Sequence, residues 1–110
     1  MTATQRGNVI RDDSGAPVAY KYASITAAAP TTTVVKAGPG FLHGIDYTAA
    51  ANGVITIYDN TAASGTVIRT ITSPATLLQN EVNKILNLNF TVGLTIVTSA
   101  AAQNIVVTYA

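Results

Sequence analysis

The chain has no cysteine, no tryptophan and one histidine, and only 10% of its 110 residues are charged. Each scarcity removes a class of function. Without cysteine there is no disulfide framework, no thiol nucleophile and no thiolate metal site. Average chains carry about 25% charged residues, so this surface must be built largely from neutral groups. The basic residues, Arg6, Arg11, Lys21, Lys36, Arg69 and Lys84, are scattered, with no run or stripe to follow a phosphate backbone. Nucleic acid is not an expected partner. No apolar run approaches the roughly 18 residues that span a bilayer, so no membrane partner is expected either. The stretch MTATQRGNVIRDDSG has no apolar core of a signal peptide.

Catalysis and metal binding find little to work with. His43 lies in FLHGIDY near Asp46, a pairing that could move protons. In a regular strand, however, positions 43 and 46 point to opposite faces. No serine sits in a G-x-S-x-G elbow. The acids are Asp12, Asp13, Asp46, Asp59 and Glu81. DDSG at 12–15 lacks the alternating ligands and closing glutamate of a calcium loop, and Asp59-Asn60 is the other place where an ion could sit. AGPG, residues 37–40, is too short for a phosphate cradle, and its Pro39-Gly40 suits the centre of a type II turn. The expectation is no catalytic residue, no metal site and no cofactor.

What is present is alanine (18) and threonine (17), together about a third of the chain. Segments 54–59, 66–72 and 104–109 are rich in β-branched and aromatic residues and bounded by turn formers. Segments 31–36, 41–48, 85–90 and 93–98 read as further strands. In ILNLNF, Leu86, Leu88 and Phe90 alternate with asparagines, the pattern of one buried face. Asn52-Gly53 is a two-residue hairpin signal. Thr76–Leu86 is the best helical candidate, with Leu78, Val82 and Ile85 on one face, and an extended connection is its rival. Strands at this spacing predict an all-β fold, an antiparallel β-sandwich or jelly roll of about 7–8 short strands. Residues 1–30 are expected to form an N-terminal arm or short hairpin, and residues 31–110 the sandwich domain.

One hairpin, ANGVITIYDNTAASGTVIRTIT (51–72), has apolar residues on both faces. With NTAASG as its loop, Asp59 faces Thr66 and Ile57 meets Ile68 on a core face. Val54, Tyr58, Val67, Arg69 and Ile71 then point outward. A sheet with one wet side should alternate more cleanly. Either another part of the chain or a partner subunit covers this second face.

VVKAGPGFLHGI (34–45), GVITIYDNTAASGTVIRTIT (53–72) and NFTVGLTIVTSAAAQNIVVTY (89–109) together resemble a small β-protein family of tailed bacteriophages. The resemblance spans about residues 34–109 and departs at LLQNEVNKIL. It implies a virion structural component: a capsid decoration, or cement, protein on the outer capsid surface, made in the host cytoplasm. The implied partners are the major capsid protein and other copies of the chain, with a trimer favoured. The interface candidates are Tyr20 and Tyr22 of the arm, Phe41 and His43 beside the GPGF turn, and Val54, Tyr58, Val67, Arg69 and Ile71 of the hairpin. A tail-tip or fibre module that binds glycans, or a head–tail connector or tail component, is the alternative.

Overall fold

The computed structural model describes residues 3–6, 9–12, 19–26, 31–49, 53–73, 83–99 and 104–110. They form ten strands: β1 (Ala3–Arg6), β2 (Val9–Asp12), β3 (Lys21–Ile25), β4 (Thr31–Ala37), β5 (Gly40–Ala49), β6 (Gly53–Asp59), β7 (Thr66–Ser73), β8 (Asn83–Phe90), β9 (Gly93–Ser99) and β10 (Asn104–Tyr109). Every strand pair is antiparallel. β3-β10-β5-β8 make a front sheet, β4-β9-β6-β7 a back sheet, and β1-β2 a separate two-stranded sheet.

From β3 to β10 the chain changes sheet at every connection except β6–β7. Eight strands wound this way form the jelly-roll arrangement. The all-β sandwich expected from strand spacing is therefore the fold, and all seven strands expected between Thr31 and Tyr109 are present. β3, inside the segment expected to be an arm, is the fourth strand of the front sheet. Asn83–Leu86 of the helical candidate is strand, and its residues 76–82 lie outside the described residues. Because β5 and β6 belong to different sheets, Asn52-Gly53 does not join two strands of one hairpin.

The core lies between the sheets. Ile25, Leu42, Ile45, Tyr47, Ile105 and Val107 from the front sheet meet Ile55, Ile57, Leu94 and Ile96 from the back, with Phe90 at one end. Ile55, Ile57, Leu94 and Ile96 have no exposed surface, so each supplies the roughly 1.5–3 kcal/mol expected of a fully buried aliphatic side chain. Between these positions the chain places Thr56, Thr95 and Val97, which turn away from the core on the strand period of two, Thr95 being fully buried there against Asn60. β-branched residues fit both sides of such a pleat. Buried within the core, the Thr98 hydroxyl finds no partner among the described residues.

Gly40 opens β5 where a Cβ would run into the Phe90 ring and the Ala110 carbonyl. The positive φ of the preceding turn falls on Gly38, at 105°, so the expected type II turn centred on Pro39-Gly40 is displaced. Gly40 is needed for close approach, since Phe41 and Ala110 exchange two backbone hydrogen bonds of 2.8 Å beside it.

Candidate functional site: two outer faces

The predicted hairpin register holds for two pairs and then shifts. Asp59 opposes Thr66 and Tyr58 opposes Val67 as expected, but Ile57 opposes Arg69 and Ile55 opposes Ile71. Ile68 is the extra residue of a bulge, which resets the face of everything beyond it. Ile71 consequently packs against the core instead of facing outward. Arg69 stands opposite the inward-facing Ile57 on an edge strand, where its long side chain is exposed. Thr70 and Thr72 take the outward positions assigned to these two.

Registers across the back sheet assemble its outer face in rows. Val34, Thr95, Tyr58 and Val67 lie side by side; Thr32, Val97, Thr56 and Thr70 form the next row; Ser99, Val54 and Thr72 the third. None of these residues is charged. Val34 and Val67 are about half exposed, at 49% and 46%. Of the hairpin residues expected to face outward, Val54, Tyr58 and Val67 are on this face.

The front face is built differently. Tyr22, Thr108, Gly44 and Ile85 form one row, and Ser24, Val106, Asp46 and Asn83 another. A Cβ on Gly44 would come to 2.5 Å from the Lys84 carbonyl oxygen, so β8 backbone closes over the middle of the first row. Tyr22 at 74% and Ile85 at 55% are left exposed on its two sides. Tyr20, just before β3, lays its ring over His43 at 4.6 Å and Phe41 at 6.4 Å between centroids. Burial there raises the Tyr20 phenol pKa. Phe41 is thereby only 3% exposed, which removes it from the accessible interface candidates. Tyr20 meets its own chain, so the arm at this point covers a face of the same subunit.

His43 sits where both β10 and β8 pairings with β5 shift register. The irregularity breaks the alternation and brings His43 to the outer face that Asp46 also occupies, against the expectation of opposite faces. They do not form a dyad. His43 Nδ1 donates to Asn87 Oδ1 at 2.9 Å, and Asn87 is the one non-glycine residue with positive φ among the described residues, at 50°. Asparagine tolerates that conformation better than most side chains. The imidazole is thus held between Tyr20 and a bulge.

Asp59 closes one end of the sandwich. Its carboxylate accepts from the Thr91 amide at 3.0 Å, the Val92 amide at 2.8 Å, the Gly93 amide at 3.3 Å and the Thr91 hydroxyl at 3.0 Å. Burial pushes its pKa up, but these donors outweigh burial and hold the carboxyl below its ordinary value. Asn60 continues the clasp: its side-chain amide donates to the Ser64 carbonyl at 2.8 Å and its backbone carbonyl accepts from Thr95 Oγ1 at 2.7 Å. The Asp59-Asn60 pair, weighed earlier as an ion loop, uses its oxygens on the protein itself. Sequence reading missed this clasp. The signal was an Asx pair opening a loop of small residues.

Among the described residues no three His, Cys, Asp or Glu side chains group as a metal site. Asp13 of the other acidic candidate lies outside the described residues. No helix there is long and apolar enough to cross a membrane. Comparison with protein-family models, with curated proteins and with solved structures gave no match.

Proposed function

We infer that this chain is a structural assembly protein that works by adhesion, and that its role is the one its sequence resemblance implies: decoration of a tailed-phage capsid. The observation that carries the adhesive reading is the uncharged outer face of the back sheet. Packing such a face against another strips water from methyl groups and hydroxyls, and no charge is desolvated in the process. Single surface hydrophobics need no explanation, whereas Val34, Tyr58 and Val67 share one row with Val97 and Val54 in the rows beside it.

Area limits what this face can do alone. At strand spacings of about 4.8 Å and same-face spacings of about 6.8 Å, the rows cover on the order of 400 Å². Standard interfaces bury about 800 Å² per partner. A single contact is therefore weak, and stable binding requires several linked copies whose contacts multiply as avidity. A trimer placed where capsomers meet satisfies that requirement. Jelly rolls also serve as capsid and lectin domains, an analogy of fold that does not by itself choose a function.

The front face supports a second reading. Exposed Tyr22 at one edge, with Asp46, His43 and Asn87 across the same face, offers a ring for stacking and polar groups for hydroxyls, as a glycan-binding tail module would require. Sedimentation velocity of the full chain, from submicromolar to tens of micromolar, tests the first reading, with capsid co-sedimentation beside it. Oligomers or capsid binding that Val67→Lys abolishes are expected. A monomer that ignores capsids and binds a glycan array would transfer the assignment to the front face.

A further inference from the structure

The two sheets of the sandwich have four edge strands: β3, β8, β4 and β7. Three of them are irregular. β7 bulges at Ile68, β4 shifts register between Val34 and Lys36, and β8 shifts opposite His43. Bulges are a device by which proteins keep an edge from pairing with another chain. β3 has none: its register with β10 runs unbroken from Lys21↔Tyr109 to Ile25↔Ile105. Backbone groups along its free side form a regular template for a further strand.

The molecule also carries an incomplete sheet. Among the described residues β1 and β2 pair only with each other, Ala3↔Asp12 through Arg6↔Val9. A lone two-stranded hairpin is at best marginally stable in water. Its four-residue strands match the five-residue edge of β3. Within one copy neither β1 nor β2 pairs with β3: the hairpin is a sheet of its own and the outer side of β3 has no strand beside it among the described residues.

We propose that the N-terminal hairpin of one copy adds to the free edge of β3 in a second copy, extending the front sheet from four strands to six. This rests on the assembly reading above, and it supplies the second contact that the limited back-face area requires. Main-chain hydrogen bonds provide the attraction, as in other strand additions. Donor and acceptor surfaces differ, so the contact is head-to-tail and closes into a ring if the rotation permits.

The test uses the full-length chain. Mixing differently isotope-labelled samples and recording label-filtered nuclear Overhauser contacts should place β1–β2 backbone protons against β3 only across labels. Two substitutions locate the edge. Successive residues of an antiparallel strand turn their N–H and C=O groups to opposite sides, so one of Ala23 and Ser24 faces β10 and the other the free edge. Of Ala23→Pro and Ser24→Pro, the variant at the edge-facing position should keep its melting temperature and raise the concentration for half-assembly at least tenfold. The other should lower the melting temperature. An assembled sample without cross-label contacts, or assembly indifferent to both prolines, overturns strand exchange while leaving back-face assembly in place. Contacts confined to one copy overturn it as well, because the hairpin then completes its own edge. A chain that stays monomeric at tens of micromolar overturns strand exchange, and it overturns the assembly reading as well only if it also ignores capsids.

Discussion

The back face sets Val34, Thr95, Tyr58 and Val67 in one row and repeats the neutral pattern twice more, while the front face sets Tyr22, Gly44 and Ile85 beside a row containing Asp46. Both cover the same core. On the front, the chain completes its own cover: Tyr20 over Phe41 and His43, and β8 backbone over Gly44. On the back, the loop after β6 lies over Thr95, whose hydroxyl donates to the Asn60 carbonyl and which has no exposed surface, while Val34 and Val67 stay about half exposed on either side. Each face is thus covered in its middle and open at its sides, Tyr22 and Ile85 on the front and Val34 and Val67 on the back, and the two differ in that only the back rows carry no charge. The difference is one of desolvation: covering the back rows would strip water from no charge, whereas covering the front rows would strip it from Asp46.

The comparison can be broken at several points. Ile57→Ala, beneath both faces, should cost about 2–5 kcal/mol, read by chemical denaturation, and a smaller loss would mean that the sheets pack loosely. Gly44→Ala should cost about 1–3 kcal/mol through overpacking against the Lys84 carbonyl. An unchanged denaturation midpoint would show that the front face is not closed by β8.

Asp59→Asn removes the charge from three amides and a hydroxyl and should cost roughly 1.5–3 kcal/mol, the range for hydrogen bonds to a charged group. The pH dependence follows from the direction of its shift. A carboxyl held below its ordinary 3.8 in the folded state contributes stability that is complete above that value and is lost as pH falls through the folded pKa. Wild type should therefore lose melting temperature below about pH 4 more steeply than the Asn variant. Parallel acid curves would remove Asp59 from the account.

Smaller effects distinguish the faces most directly. Tyr20→Ala should cost about 0.5–1.5 kcal/mol for the lost ring contacts and leave assembly intact. Val67→Lys should change subunit stability by less than about 0.5 kcal/mol and yet abolish oligomers or capsid binding, because a buried unpaired charge is costly. Should Val67→Lys leave assembly untouched, the open face is ordinary surface.

Strand positions were legible because β-branched runs and small-residue loops mark them directly: Asn104–Tyr109 and the NTAASG loop fall where composition places them. Register was legible only as far as Val67, since a bulge adds one residue and no sequence pattern announces it. That single residue turned Ile71 inward. His43 and Asp46 were misassigned for the same reason, because alternation assumes a regular strand. Pairing between sheets was not legible at all. Asn52-Gly53 reads as a local turn, yet its flanking strands separate because partners far along the chain bury more surface.

Jelly-roll wiring has a temporal consequence. Ile25 pairs with Ile105, and β5 is flanked by β10 and β8, both made much later. Among the sandwich strands, only β6 and β7 can pair without waiting for distant chain. At synthesis rates of about 5–20 residues per second, the first strand of the front sheet is exposed for roughly 4–16 seconds before its neighbour exists. High contact order then slows closure further. Over that interval the exposed apolar strands must be kept from other chains, and the sandwich can close only after nearly all of the chain has been made.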